Sequence, residues 1–171
     1  GRIARFATRN HYTGLRKALD RIVAELHQAG WQAAAISDDD RLVDRAAAVR
    51  AGVGWWGKST MVLDPQNGPW LLLGSVITDA PLPADDPMIR SCGSCDVCIP
   101  ACPTGAIVAP GKLDATRCLA YVTQVGGAIP AALRIPLGDR FYGCDDCLEV
   151  CPPGGKKLAA ATAQAGRVDL I

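Results

Sequence analysis

The chain has neither a run of eighteen apolar residues nor the basic, apolar and small-residue segments of a signal peptide. The first absence argues against a membrane-spanning helix, and the second argues against secretion. Net charge is also almost absent, because 18 lysines and arginines offset 17 aspartates and glutamates to leave +1. Overall electrostatics therefore favour no class of partner, and we expect a cytoplasmic protein without a membrane partner.

The composition, 49% hydrophobic and 20% charged over 171 residues, is that of a globular chain. It is long enough for one sizeable domain and a small one. The sequence begins at Gly1 without a methionine and runs straight into patterned sequence. We therefore expect an excerpt of a longer protein.

The most specific chemical signal is the run from Cys92 to Pro103, which reads C-x2-C-x2-C-x3-C-P. This spacing is that of bacterial 4Fe-4S ferredoxins. Three thiolates of such a run bind one cluster, and the fourth binds a different one. A second cluster is therefore predicted.

A second run, C-x2-C-x3-C-P from Cys144 to Pro152, supplies it, with one further cysteine displaced upstream. The crossed pattern of ligation then uses all eight cysteines of the chain. The predicted ligands of the first cluster are Cys92, Cys95, Cys98 and Cys151, and those of the second are Cys102, Cys118, Cys144 and Cys147.

Disulfides and zinc are the two alternative roles for these cysteines. Eight cysteines also suit a disulfide framework, but such frameworks belong to small secreted domains. Paired C-x2-C motifs also serve structural zinc, although zinc does not explain two Cys-Pro endings. The two-cluster interpretation is the favoured one.

Upstream of the cysteines, apolar periodicity predicts a helix from about Thr13, taken as its N-cap, to Gly30. A strand over 31–36 then delivers the chain to three successive aspartates, the first of which is Asp38. Carboxylates after a strand end often mark an active site. The alternative is that they cap a helix predicted from Arg41 to about Ala51.

The stretch 51–60 is rich in glycine and carries adjacent tryptophans. Gly52 and Gly57 match the glycine spacing of a phosphate-binding P-loop, but a helix precedes the loop where that motif needs a strand. Glycines beside tryptophans better suit a backbone that approaches a large flat ligand.

Two strands are predicted next, over 61–63 and 70–78, paired as a hairpin through a turn at 64–68. The second strand is almost wholly apolar, which predicts a central position. A proline-rich segment over 80–87 is the predicted domain boundary.

Several blocks along the chain resemble the epoxyqueuosine reductase family, and together they cover nearly its whole length. The Cys-Pro-Thr-Gly-Ala-Ile and Tyr-Gly-Cys-Asp-Asp-Cys stretches are highly specific. In chain order the blocks are Ile3 to Ala7, Asp38, Ala51 to Lys58, Leu73 with Gly74, Cys92 to Pro103, Ile107 to Pro110, Arg117 with Cys118, Gly138 to Arg140, and Tyr142 to Cys147.

Members of this family carry two 4Fe-4S clusters and use cobalamin to reduce the epoxide of epoxyqueuosine in certain tRNAs to queuosine. The resemblance implies an α+β, nitroreductase-like cobalamin-binding scaffold over 1–80 and a bacterial two-4Fe-4S ferredoxin-like domain over 81–155. Residues 156–171 would form a C-terminal extension. The family's amino-terminal portion and carboxy-terminal helical repeats are expected to be missing.

The resemblance also implies roles for residues and partners. Asp38 matches the family's proton donor, and a tRNA carrying epoxyqueuosine is the implied substrate. A reduced flavodoxin- or ferredoxin-like protein is the implied electron donor. The implied contacts to cobalamin are Trp55, Lys58, Ser59, Val62, Leu73 and Val76.

Two other functions stay open on the sequence alone. A ferredoxin-type electron-transfer module explains the cysteines but leaves residues 38–60 without a purpose. A dehalogenase-like cobalamin reductase of small molecules shares the clusters and the fold. Cobalamin binding separates the first from the rest, and dependence on tRNA separates the second.

Overall fold

The computed structural model describes residues 1–153. In this range no helix is both long and apolar enough to cross a membrane. The helices are α1 Tyr12–Gln28, α2 Asp44–Arg50, α3 Cys98–Ala101, α4 Leu119–Val122, α5 Ala131–Leu137 and α6 Asp146–Glu149, with 3-10 turns at Arg5–Ala7 and Ala115–Arg117. The strands are β1 Arg2–Ile3, β2 Ala33–Ile36, β3 Trp55–Trp56, β4 Val62–Leu63, β5 Ser75–Thr78, β6 Ile107–Ala109, β7 Lys112–Leu113 and β8 Arg140–Tyr142. The predicted mixture of helix and strand is confirmed.

The amino-terminal helix α1 confirms the predicted periodicity but not the predicted cap. Its N-cap residue is His11, and Thr13 already lies inside the helix, where its backbone N–H donates to Oδ1 of Asn10 at 3.2 Å. The helix stops at Gln28, and Gly30 follows at φ +89°. A glycine in the left-handed region is the usual way to end a helix, so the predicted stop is correct.

Helix α1 packs on a two-stranded antiparallel sheet made of β2 and β5. Leu19 is its buried contact residue, and Gly74, just before β5, leaves room for it. A Cβ at position 74 would meet Cδ1 of Leu19 at 2.8 Å. The small residue therefore lets the sheet approach the helix closely.

The predicted hairpin over 61–78 is wrong. The turn exists, since Asp64 and Gly68 exchange backbone hydrogen bonds of 3.0 and 2.9 Å. The strands that flank it have other partners, however: β4 pairs with β3, and β5 pairs with β2. In the described residues β5 also lies in a sheet of only two strands, so it is not central there.

Close packing around the β3–β4 hairpin explains the glycines of the stretch 51–60, and the flat ligand that the sequence suggested stays a prediction. A Cβ on Gly54 would lie 2.2 Å from the carbonyl oxygen of Leu63, and one on Gly57 would lie 3.0 Å from the Leu63 side chain. Gly52, at φ +70°, lies against the backbone of Asp86. Close approach to backbone thus requires glycine at positions 52 and 54, and close approach to the Leu63 side chain favours it at position 57.

We predict that Gly54→Ala destabilises the protein by about 1–3 kcal/mol, because the new methyl group collides with backbone and cannot be relieved by a rotamer change. The matched control is Gly14→Ala. Gly14 lies in α1, where an added methyl group would meet no atom beyond its own helical backbone within 4 Å, so this change should stabilise by about 0.5–1 kcal/mol. Urea unfolding of the full-length protein measures both, and equal effects of the two changes would contradict the packing account.

The core crosses the predicted boundary at 80–87. Trp55 and Leu63 are buried together with Cys151, and Met88 and Cys92 pack against them. Residues from both predicted domains therefore share one apolar cluster. The boundary remains a prediction, and the predicted extension over 156–171 lies outside the described residues.

The first strand also joins the two parts of the chain, because β1 pairs in parallel with β8. Next to this pair, Gly143 has φ +74°, and a Cβ there would lie 2.4 Å from Cβ of Ala4. The backbone N–H of Arg5 donates to the carboxylate of Asp145 at 2.6 Å. The amino-terminal residues thereby fix the loop that carries Cys144.

Candidate iron–sulfur and catalytic site

All eight cysteines are free thiols, and each is buried or half-buried. They come from α3, α6 and the loops before, between and after these two helices, and α3 packs directly against α6. This contact brings the two cysteine runs together although forty residues separate them in sequence. Local spacing thus supplies parts of each predicted ligand set, and the helix contact brings those parts together.

One set of thiols forms around Cys151. Burial and, to a smaller extent, the nearby thiolates of Cys92, Cys98 and Cys95 together raise the pKa of Cys151 to about 11. Burial likewise raises the pKa of Cys98, with Cys92 and Cys95 as its thiol neighbours. We call these four residues group one.

The other set forms around Cys147. Burial and, to a smaller extent, the nearby Cys144, Cys102 and Cys118 together raise the pKa of Cys147 to about 12, and Cys98 of group one makes the smallest contribution. Burial raises the pKa of Cys144 to about 11, with Cys118 again a neighbour. We call Cys102, Cys118, Cys144 and Cys147 group two.

Buried thiols with a raised pKa are protonated near neutrality. Metal binding must displace those protons, and the positive charge of iron supplies the free energy for it. In the described residues, no three His, Cys, Asp or Glu side chains converge on the position of a single metal ion. A 4Fe-4S cluster is bound at four separate irons, so its ligands are spread more widely than those of one ion.

Cys102 is an exception within group two. Burial raises its pKa, but hydrogen bonds from the hydroxyl and backbone of Thr104 and from backbone N–H groups outweigh burial, so the pKa lies below its ordinary value. The N–H of Ala106 donates to the sulfur at 3.2 Å, and the Thr104 hydroxyl lies 3.6 Å from it. Hydrogen bonds of this kind orient a ligand and stabilise its thiolate form.

Lys58 lies on the turn of the β3–β4 hairpin, beside group one. Its backbone N–H donates to the sulfur of Cys92 at 3.5 Å, and its ammonium group donates to the carbonyl oxygen of Gly93 at 2.8 Å. Hydrogen bonds to cluster sulfurs and nearby positive charge shift reduction potentials. The position of Lys58 therefore suits a role in tuning a group-one cluster.

Asp38 lies on the loop after β2 and is exposed. Its backbone has φ +53°, a left-handed conformation that non-glycine residues adopt uncommonly. The predicted capping role is wrong, because α2 begins at Asp44 with Val43 as N-cap and no side-chain cap. The carboxylate of Asp38 is consequently not used to start that helix.

The next aspartate has a different role. The Asp39 carboxylate accepts hydrogen bonds from the guanidinium and the backbone N–H of Arg41, at 2.7 to 2.9 Å. These hydrogen bonds hold the pKa of Asp39 at about 2. Asp39 is therefore ionised near neutrality, which makes it a poor proton donor.

Sequence reasoning missed two neighbours of Asp38. Burial raises the pKa of Tyr12, and the negative charges of Asp38 and Asp44 raise it further. Oδ1 of Asp44 is buried without a hydrogen-bond partner in the described part of the chain. The phenol of Tyr12 and the carboxylates of Asp38 and Asp44 therefore lie in one region, near the end of β2 and the starts of α1 and α2. No local pattern in the sequence predicts this region.

The comparisons with known proteins agree with this geometry. A family model described as a 4Fe-4S double cluster binding domain matches residues 91–154, which include all eight cysteines. An epoxyqueuosine reductase of Vibrio cholerae is 44% identical over 139 residues, which are 81% of this chain and 37% of that protein. The chain belongs to the epoxyqueuosine reductase family. It spans about two fifths of the length of the curated relatives it matches.

Two solved epoxyqueuosine reductases have the same fold as this chain. One, crystallised with an epoxyqueuosine-modified tRNA-Tyr stem loop, is 38% identical with a TM-score of 0.86, covering 90% of this chain and 42% of that one. The other, from Bacillus subtilis, has its catalytic aspartate loop swung out of the active site. It is 37% identical to this chain with a TM-score of 0.83, and the match covers 90% of this chain and 42% of that one.

The residues that the epoxyqueuosine reductase resemblance assigned to cobalamin divide into two sets. Trp55, Ser59 and Val62 are only 4%, 5% and 3% exposed, because the β3–β4 hairpin and the core bury them. Their side chains offer little surface to a ligand. The others are half-buried, namely Lys58, Leu73 and Val76.

Proposed function

We propose that this chain is the part of an epoxyqueuosine reductase that holds two 4Fe-4S clusters and the catalytic acid. The whole protein would reduce the epoxide of epoxyqueuosine in tRNA to queuosine. The observation that carries the proposal is the match of residues 91–154, with all eight cysteines, to a 4Fe-4S double cluster binding domain within a chain of this family. The relative crystallised with an epoxyqueuosine-modified stem loop supports the choice of substrate.

The proposed ligands of the first cluster are the thiols of group one, and those of the second are the thiols of group two. Each group draws on both cysteine runs, as the crossed pattern requires. In each group the other three thiols act electrostatically on one member, Cys151 or Cys147, and Cys98 of group one also acts on Cys147 of group two. The two proposed clusters would therefore be neighbours, which suits transfer of single electrons between them.

We further propose that the amino-terminal part belongs to a nitroreductase-like, cobalamin-binding scaffold. Lys58, Leu73 and Val76 support this, because they are half-buried and retain surface for a ligand. Trp55, Ser59 and Val62 would act indirectly, by holding the hairpin in shape. When bound, the clusters supply single electrons and cobalamin supplies a strongly reducing cobalt centre.

Asp38 is the proposed proton donor. Removal of the epoxide oxygen as water takes two electrons and two protons, and an acid must protonate the oxygen as its bond to carbon breaks. The side chain of Asp38 is exposed, whereas the carboxylate of Asp39 accepts a hydrogen bond from the guanidinium of Arg41. The B. subtilis relative, in which the catalytic aspartate lies on a loop that swings, supports a loop position for the acid.

A plain electron-transfer module is disfavoured, because it gives no purpose to the left-handed backbone at Asp38. Strained backbone persists where the surrounding structure fixes it, and it clusters at active sites. A reductase of small molecules would share the clusters. The tRNA-bound relative favours the tRNA substrate over that alternative.

The proposed function is tested with the full-length protein, reconstituted without oxygen and supplied with dithionite and an anticodon stem loop that contains epoxyqueuosine. Mass spectrometry should detect queuosine when cobalamin is present and none when it is left out. Absence of conversion under both conditions would contradict the proposed reaction. Equal conversion without cobalamin would contradict the proposed cofactor.

A further inference from the structure

Trp55 carries a buried polar group that the proposed reaction does not use. Its side chain is only 4% exposed. The indole N–H, at Nε1, is buried and has no hydrogen-bond partner in the part of the chain that the structure describes. Buried donors are nearly always paired, because an unpaired one loses its hydrogen bond to water without a replacement. The unpaired indole therefore points to an acceptor that these residues do not supply.

The side chains around Trp55 show what kind of acceptor fits. Leu63 and Cys151 are buried with Trp55 in one apolar cluster, and three partly buried residues pack against it, namely Met61, Met88 and Cys92. Leu63 has no polar side-chain atom, and the other four neighbours offer only sulfur as an acceptor. Cys92 and Cys151 are also proposed ligands of the group-one cluster. The N–H thus lies among sulfur-bearing side chains, two of which belong to one proposed cluster.

The β3 strand determines which of two adjacent tryptophans packs against group one. Successive side chains of a strand point to opposite faces, and Trp56 is accordingly 48% exposed. The turn of the same hairpin already contacts this group, because the backbone N–H of Lys58 donates to the sulfur of Cys92 at 3.5 Å. Trp55 adds a second N–H from this hairpin to the core around group one.

A positive charge lies over the ring of Trp55. The central guanidinium carbon of Arg90 is 5.0 Å from the ring centroid, which is a cation–π contact. A cation in this position draws electron density from the indole, so that the N–H becomes a stronger donor. Arg90 comes two residues before Cys92 in the chain. The structure therefore places a strengthened donor beside group one.

Group two has a comparable donor in Arg140. Its Nε is likewise buried without a partner among the described residues, although its other guanidinium nitrogens donate to Asp146 and to two backbone carbonyl oxygens. Burial lowers the pKa of Arg140, but the hydrogen bond to Asp146 and the negative charges of Asp146 and Cys144 outweigh burial and raise it. An unpaired, buried N–H thus lies near each group of thiols.

We propose that the indole N–H of Trp55 donates a hydrogen bond to a sulfur atom of the group-one cluster and thereby raises the reduction potential of that cluster. The proposal rests on the proposed function, since it requires a 4Fe-4S cluster at group one. An added electron increases the negative charge on the cluster sulfurs, so a donor stabilises the reduced form more than the oxidised form. Trp55 therefore favours the arrival of an electron at group one.

The test uses the full-length protein with both clusters reconstituted. Reduction of each cluster by dithionite is followed at controlled potential by electron paramagnetic resonance. Trp55→Phe keeps an aromatic ring but removes the N–H. At a fixed potential it should lower the ratio of reduced to oxidised group-one cluster about tenfold, which is about 59 mV for a one-electron couple. The other cluster should keep its wild-type potential.

Trp56→Phe is the matched control, because it makes the same change at the adjacent, exposed side chain. It should leave both potentials unchanged. The sign of the shift separates a lost donor from loosened packing, since water that reaches a cluster stabilises its more negative, reduced form and raises the potential. An unchanged or raised potential in Trp55→Phe, or an equal fall in Trp56→Phe, would overturn the proposal.

A second measurement does not depend on the folding of a core variant. The full-length protein is labelled with ¹⁵N at the indole nitrogen of tryptophan only, so that backbone N–H groups such as that of Lys58 give no ¹⁵N signal. Pulsed electron paramagnetic resonance of the reduced protein should detect a coupling between a cluster and an indole nitrogen. Trp56→Phe should retain this coupling. Its absence from the wild-type protein would overturn the proposal.

Iron analysis of the wild-type protein separates this proposal from the proposed function. About four irons per chain or fewer would contradict the two-cluster assignment on which both rest. About eight irons with neither the fall in potential nor the coupling would contradict only the role of Trp55. If both effects are present but epoxyqueuosine is not reduced, the role of Trp55 stands and the proposed reaction is wrong.

Discussion

Replacing Asp38 by asparagine in the full-length protein should reduce queuosine formation by about 10²- to 10⁴-fold, the usual effect of removing a general acid. Asparagine is the appropriate substitution for two reasons. It is nearly isosteric but cannot deliver a proton, and it tolerates the left-handed backbone that position 38 adopts at φ +53°. An alanine would add backbone strain and confuse the result.

Both clusters and bound cobalamin should survive Asp38→Asn, so iron content and the absorption spectrum should match those of the wild type. Asp40→Asn is the control, since Asp40 is an exposed carboxylate on the same loop. It should leave the rate almost unchanged. A rate for Asp38→Asn close to wild type would remove Asp38 from the catalytic residues. A capping role no longer competes, because α2 starts six residues later at Asp44.

Replacing Cys102 by serine should remove one whole cluster, leaving about four of about eight irons per chain. The informative experiments combine this change with a second one. Cys147 shares group two with Cys102, so the double variant Cys102→Ser with Cys147→Ser should lose little more iron than the single variant. Cys98 belongs to group one, so Cys102→Ser with Cys98→Ser should lose nearly all the iron.

Assignment of one cluster to each cysteine run predicts the opposite pattern. Cys98 and Cys102 would then share a cluster, and their double variant would keep about four irons. The double variant of Cys102 and Cys147 would lose nearly all of them. Iron and sulfide analysis of the three reconstituted proteins therefore decides between crossed and local ligation.

The proposed division of the cysteines comes from the sequence, because the ferredoxin spacing encodes which thiols of a run share a cluster, and it stays a prediction. The periodicity of α1 was equally local, and Gly30 marked its end correctly. In each case the information lay within a few residues. Short-range geometry is what a sequence pattern records best.

The pairing of strands could not be anticipated in this way. The apolar pattern of 70–78 predicts a strand but does not name its partner, and β5 pairs with β2 about forty residues upstream. The close packing of the glycines around Trp55 could not be anticipated for a similar reason, because the atoms that they approach, on Leu63 and Asp86, come later in the chain. Contacts of this kind appear only in the folded structure.

The candidate catalytic region shows the same limit. The family resemblance selected Asp38, but neither its left-handed backbone nor its nearness to Tyr12 and Asp44 follows from spacing. Lys58 likewise lies beside Cys92, where its backbone N–H donates to a sulfur of group one. Tertiary packing, which draws on residues far apart in sequence, determines both positions.

The most direct test of the central claim is nucleoside analysis of tRNA from a strain that lacks the gene for the full-length protein. We predict that epoxyqueuosine accumulates in place of queuosine, and that the wild-type gene restores queuosine whereas the Asp38→Asn gene does not. Unchanged queuosine in the deletion strain would contradict the assignment of this chain to epoxyqueuosine reduction.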